Sequence, residues 1–540
     1  MRLFLTSALA LALLATNAAG QAPPAPSDST TGEAVFAVSG RGWGHGVGLS
    51  QWGAYGQAKA GRTYDQILAH YYFGTKLGRA SKSEVRVLLV EGRRAVTVQS
   101  TAPFRVQDAT GVVTKLPAGA LILTPQLKLP NAVKPSAGPL MVLPGKQPLS
   151  LDGRPYRGKL ELAAAGGYLR VVNYVGLESY IAGVVADEMP YTWPVEALKA
   201  QAVAARTFAL KSIVKGKPYD LYSDVRSQVY GGVESEEDSA TKAIQATAGQ
   251  VVMYGGQLIT AFYFSSSGGK TASAADVFGT ALPYLVSRPD PWDKASPHHR
   301  WGPVLLGART LQAKLDVAAR VLDASGVPTP SGRIRGLTLK TASGATSVPS
   351  SLVRTALGLR STWINIGVLR LDRPKGTVEF GASVQLGGVA RNVVAPQLQS
   401  STSGKTWTDL GPLARGDDGT FSTAVSPTKT TSYRIEAGSS SAQPASRVTS
   451  QVLLVRVGPK VRLNEPGEPG VLSGTVRPRL GAIVHVERLR AGGWVHVGET
   501  LAEGSGAFRI EAQVVRGTYR ARTSPIAGFA EGLSPLVAVG

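Results

Sequence analysis

A carboxyl group set among apolar neighbours can stay protonated near neutrality and act as a proton donor. Glu188 is placed that way, with Val185, Met189, Pro190 and Trp193 around it in sequence. The blander alternative is a favourable acid just ahead of a helix N-terminus. A second polar constellation lies in GRGWGHGVGLSQWGAYG (40–56), where glycines at 42, 44, 46 and 48 alternate with Trp43, His45 and Val47. On an extended strand this puts bare backbone on one side and the three side chains on the other. The stretch is either a packed glycine-rich strand with a structural His45 or a site approached closely by another chain. Its spacing is not that of a dinucleotide loop. Ser265, Ser266 and Ser267 precede a Gly-Gly pair but form no nucleophile elbow, so they read as hydroxyl donors or turn residues. His298 and His299 lack further ligands at suitable spacing and read as surface or cleft lining. Tyr180, Tyr191, Trp193, Trp43 and Trp52 are either sugar-stacking rings or core. Arg206 either meets a carboxylate or lactyl group of a substrate or forms a plain solvated or internal ion pair.

These residues need elements to hold them. AVFAV (34–38) predicts a strand, and helices are expected from Ser50 to Gly61 and from a Thr63–Gln66 capping box onward. Residues 84–175 alternate apolar and polar positions between turn signals, which predicts a β-rich region. Val195, Leu198, Ala202, Ala205 and Ala209 have helical spacing behind Pro194, predicting a helix over 194–214 with Glu188 on the loop before it. VVMYGGQLITAFYFSSSGG (251–269) reads as a hairpin turning at Gly255-Gly256, and a helix is expected around 310–325. Beyond 373, two segments with a mid-segment Trp, a Gly-x-Phe turn and a Tyr-Arg strand predict tandem immunoglobulin-like sandwiches, 373–458 and 459–540.

The first 20 residues, with Arg2 followed by an apolar run from Leu3 to Leu14, have the pattern of a secretory leader. The chain is therefore expected to be exported to the cell envelope, periplasmic or secreted, and not integral to the membrane once the leader is removed. Residues 21–33 read as a linker. The absence of cysteine excludes disulfides and thiolate metal sites. The formal charge of +22 is dispersed, which suits acidic partners such as anionic wall polymers better than nucleic acid, and no nucleic-acid partner is expected.

Three passages resemble the SpoIID/LytB family, the sporulation stage II protein D and amidase-enhancer group: YIAGVVADEMPYTWPVEALKAQAVAARTFAL (180–210), SQVYGG (227–232) with FSSSGGKT (264–271), and GWGHGVGLSQWGAYGQAKAGRTYDQILAHYYFGT (42–75). The resemblance spans about 34–372 and implies an α+β domain with a β-rich subdomain over about 82–175. The glycine-rich passage stands first here instead of last, so a permuted order is inferred. The resemblance implies peptidoglycan glycan strands as substrate and lytic transglycosylase activity, with Glu188 as the single acid/base. His45, Ser50, Gln51, Tyr180, Arg206, Gln228, Tyr230, Ser266, Ser267 and Gly268 are carried over as cleft-lining residues. The alternative it leaves open is a non-catalytic wall-binding enhancer whose partner is an N-acetylmuramoyl-alanine amidase. Some members have Cys or His before the Gln-Val-Tyr motif, a neighbourhood associated with zinc. Arg226 and Ser227 stand there in this chain, so neither a metal nor any other cofactor is expected.

Overall fold

The computed structural model describes residues 31–130, 134–136, 138–439 and 446–540. The expected leader and most of the expected linker lie outside the described residues. The chain is a mixed α+β molecule in which sheets predominate. Among the described residues no helix is long and apolar enough to cross a membrane.

The β-rich region is built on a seven-stranded sheet whose longest antiparallel pair is Glu84–Arg93 with Tyr168–Gly176. A four-stranded sheet around Val96–Ser100 faces it, and Val98, Leu123, Leu149, Leu160 and Val171 fill the space between. The central strand Tyr168–Gly176 runs directly into a helix, Leu177–Glu188, most of which is buried. Glu188 is thus the last helical residue instead of a loop residue. The backbone leaves the helix only at Met189, one residue ahead of Pro190. The next helix, Val195–Lys211, is capped by Pro194. Its alanines at 197, 200, 202, 204, 205 and 209 are all buried, so small side chains let neighbours approach on nearly every side. That is why Arg206, expected on a more polar face, lies inside.

The N-terminal strand Val35–Gly40 is buried throughout and occupies the interior of a five-stranded sheet. It pairs antiparallel with Trp301–Gly307 on one side and with Ile364–Leu371 on the other. The same sheet continues into Val384–Arg391 and Thr420–Val425. Leu369 and Leu371 pack in one core with Leu386, Val393, Ile435 and Val455. The position expected to separate two domains, 372/373, is therefore a connection inside one sheet. The helix expected around 310–325 is short, Ala308–Lys314, and Val321–Pro328 is a strand. Asp316, at φ 52°, takes the left-handed backbone that breaks the helical run. Residues 460–540 form a three-stranded and a four-stranded sheet around Val461, Leu472, Val484, Phe508 and Tyr519.

Candidate functional site

The glycine-rich passage does not form the extended strand its period suggests. Gly42, Gly44, Gly46 and Gly48 all have positive φ, at 73°, 112°, 88° and 82°. Each alternate residue takes a backbone region that other residues rarely enter. The passage lies along residues 263–272, bridging Trp43 to Ser266 and Val47 to Ala272. A Cβ at Gly48 would sit 2.0 Å from the Phe262 carbonyl oxygen, and one at Gly46 would meet the Arg333 guanidinium at 2.3 Å. The period of two therefore comes from repeated left-handed turns and close approach. His45 is turned inward. Its Nδ1 accepts from the Val47 amide at 3.0 Å, and its ring stands among Phe262, Phe264 and Phe278. Burial holds this imidazole down at about 4, so it is neutral at ordinary pH.

Beyond the glycines, Leu49–Ser50 pairs in parallel with Tyr263–Phe264. Two polar centres hang from this short pair. The first gathers around Asp293, which is fully buried. Its Oδ1 accepts from Ser50 Oγ at 3.1 Å and from the Ser267 amide at 2.8 Å. Its Oδ2 accepts from Ser266 Oγ at 3.0 Å and the Gly268 amide at 2.9 Å, and lies 3.0 Å from His299 Nδ1. Ser50, Ser266, Ser267 and Gly268 are brought together as expected, but the group they surround is a carboxylate that the sequence did not single out. Ser50 Oγ also caps the helix Gln51–Lys59 by accepting from Gly53. Asp290 is buried nearby. Burial and the charge of Asp293 push its carboxyl up to about 7.

The second centre is Glu188. Gln51 Nε2 donates to its backbone carbonyl at 2.9 Å, tying the N-terminal passage to the end of the helix Leu177–Glu188. The Tyr263 hydroxyl is the polar side chain that bears on the carboxyl. Burial pushes its proton affinity above the usual carboxylate range. The Tyr263 hydrogen bond favours the ionised form and works against that push, and the Asp187 charge adds to it. Asp187 points away and accepts from Ser235 Oγ. Behind Tyr263 runs a chain of donors: Gln228 Nε2 donates to the Tyr263 oxygen at 2.9 Å, and Tyr180 donates to Gln228 Oε1 at 3.2 Å. Gln228 thus meets the Tyr263 hydroxyl directly, and Tyr180 meets it through the Gln228 amide.

Half-exposed rings cluster at the same place. Trp52 follows Gln51, and its ring lies 4.7 Å from Trp193, with Tyr55 4.9 Å from Trp193. Trp43, 41% exposed, stands over His298. His298 contacts Arg360, so the two adjacent histidines serve different neighbours.

All the expected lining residues except His45 are buried, and three of them serve interior packing or ion pairing. Arg206 is fully buried and grips Glu178 through Nε at 3.0 Å and Nη2 at 2.5 Å, with the Gln250 carbonyl on Nη1. Tyr180 is fully buried and cannot stack on a sugar. Tyr230 packs between Tyr156 and Tyr180 and donates to Asn173 Oδ1 at 3.0 Å. Sequence reading missed Tyr263, Asp293 and Tyr55. Tyr263 alternates with Phe262 and Phe264 in an aromatic run, which reads as core. Asp293 lies in PDPWDKA, where acids read as turn residues.

Comparison with known proteins adds the following. Residues 165–254 match the family described as SpoIID, stage II sporulation protein. The chain is 32% identical over 267 residues to stage II sporulation protein D of Bacillus subtilis (strain 168), covering 44% of this chain and 72% of that protein. It is 36% identical over 147 residues to the amidase enhancer of the same organism, covering 27% of this chain and 20% of that one. An uncharacterized protein of Brachyspira hyodysenteriae (strain ATCC 49526 / WA1) is 40% identical over 139 residues, covering 25% of this chain and 38% of its own length.

Proposed function

Because the chain belongs to the SpoIID family, we propose that it is an exported peptidoglycan lytic transglycosylase, with Glu188 as its single acid/base. The observation that carries the reading is the environment of Glu188: a carboxyl biased towards its protonated form, whose backbone carbonyl is held by Gln51, the residue before Trp52, which clusters with Tyr55 and Trp193. Aromatic faces of this kind suit the apolar faces of sugar rings.

Cleaving a glycosidic bond requires protonation of the leaving oxygen. Glu188 donates that proton and becomes a carboxylate. The C6 hydroxyl of the muramic acid residue attacks its own anomeric carbon, and Glu188 takes up the hydroxyl proton. The glycosidic C–O bond breaks, the 1,6-anhydro C–O bond forms, and Glu188 ends as it began. One carboxyl suffices because the nucleophile is intramolecular and already close. Tyr263, positioned by Gln228, holds the carboxyl through both halves, and its hydrogen bond strengthens as Glu188 ionises.

Incubating purified, peptide-stripped glycan strands with the wild type should give anhydro-muramyl ends by mass spectrometry, and Glu188→Gln should give none. Equal product from both would refute the assignment. The match to an amidase enhancer supports a second reading, a wall-binding partner of an N-acetylmuramoyl-alanine amidase without chemistry of its own. Strand binding without product, with faster turnover of an added amidase, would favour that reading.

We also propose that residues 459–540 are immunoglobulin-like and position the enzyme on the wall. The two facing sheets of 460–540 support this, as does Tyr519, whose hydroxyl donates back to the Val515 carbonyl at 2.7 Å in the manner of a tyrosine corner.

A further inference from the structure

Strands Ile483–Arg490 and Gly493–Leu501 pair antiparallel at the C-terminal end of the molecule. His485 lies directly across from Glu499, with Nδ1 2.9 Å from Oε2. His496 and Glu499 are three residues apart, so on a regular strand they would face opposite sides. Here Val486 pairs with Gly498 but Glu487 pairs with His496, leaving Val497 as an extra residue. That bulge turns His496 onto the face of His485 and Glu499. Ligand atoms of all three then lie within 4.8 Å of one another.

We propose that His485, His496 and Glu499 form a binding site for one divalent transition-metal ion of the zinc class. Two imidazoles and one carboxylate suit zinc, copper or nickel and not magnesium or calcium, which prefer oxygen. Bonds of about 2.0–2.2 Å require the three donors to close in slightly. His496 and Glu499 are exposed and can do so by side-chain rotation. His485 is the fixed member. Its Nε2 lies 2.8 Å from Ser524 Oγ, which holds the ring with Nδ1 directed at the other two ligands. Such outer contacts orient metal-binding histidines. The nearby cations are already matched: Arg522, across the ladder from His485, is held by Glu487 and Glu531, and Arg520 by Glu487. Three protein ligands leave a fourth position for water. The site lies far along the chain from residues 165–254 and is independent of the reaction proposed for Glu188.

Without the ion, the 2.9 Å contact between His485 and Glu499 is an ordinary hydrogen bond, so titration separates the two readings. The full chain, freed of metal with a chelator, is titrated with ZnCl2 by calorimetry at neutral pH, with MgCl2 and CaCl2 as controls. The expected result is saturation at one Zn2+ per chain with no response to the controls. His496→Ala and Glu499→Gln should each weaken binding at least about tenfold with unchanged circular dichroism. No heat of Zn2+ binding by the wild type, or unchanged affinity in His496→Ala, would overturn the proposal. A chain that binds through its other histidines gives that second result.

Discussion

Asp293 and Glu188 are two carboxyl groups served by the same parallel pair of short strands, one through Ser50 and the other through the neighbouring Gln51 and Tyr263. Their surroundings are opposite. Asp293 has no exposure and meets five polar partners: two hydroxyls, two amides and an imidazole. Glu188 is partly exposed, and among its neighbours the Tyr263 hydroxyl favours the ionised carboxyl. A carboxylate saturated with donors has no free lone pair for a substrate. A carboxyl with one donor in a desolvated place has its two protonation states brought closer together, which acid/base work requires. Under the proposed function, what separates the two carboxyl groups is the number of donors, more than the depth of burial.

That contrast can be broken by mutation. Glu188→Gln should lower the rate of anhydro-end formation by about 10²–10⁴-fold in product analysis, while its unfolding midpoint in urea stays at or above that of the wild type. Asp293→Ala should do the reverse in kind. It leaves several buried donors unpaired and should cost roughly 3–5 kcal/mol in urea unfolding. An Asp293→Ala protein of undiminished stability would remove the basis for treating this centre as structural.

Asp290 tests the neighbourhood through pH. Its folded proton affinity, near 7, lies above that of an unfolded aspartate, so between about pH 4 and 7 the native state binds more protons. Stability should therefore fall as pH rises through that window, by at most about 1.4 kcal/mol per pH unit. Asp290→Asn should flatten the slope in thermal melts taken across the window.

The smallest effect sharpens the comparison most. Tyr263→Phe removes the one donor that favours ionised Glu188. The proton affinity of the acid should rise, and the alkaline limb of the activity profile should move to higher pH, with kcat lowered by about tenfold or less. A purely structural Tyr263 would lower activity without moving that limb.

The Glu188 centre was legible because its residues sit in long local motifs whose apolar setting can be read along the chain. Gln51 was legible for the same reason, and the hydrogen bond to the Glu188 carbonyl brings the two passages together. Asp293 was not legible, because its partners come from three separated stretches and an acid beside proline reads as a turn. For Arg206 the internal ion pair was one of the open readings, and helical periodicity alone could not select it because an alanine-rich helix can bury every face. The glycine period was seen but misassigned. Period two fits both a pleat and alternating left-handed turns, and only the chain packed against it decides between them. The cluster on strands 483–501 depends on a one-residue bulge, which inverts the facing that strand parity predicts.

The strand Val35–Gly40 has a consequence for the order in which the molecule assembles. It is made early, yet its two ladder partners, Trp301–Gly307 and Ile364–Leu371, are among much later residues. A chain synthesised from its N-terminus carries this apolar segment unpaired until most of the sequence has emerged. Closing so long a loop is slow, so the five-stranded sheet should be among the last parts to form. Until then the segment presents two open edges, the kind of surface that holding chaperones or a translocation channel would have to shield.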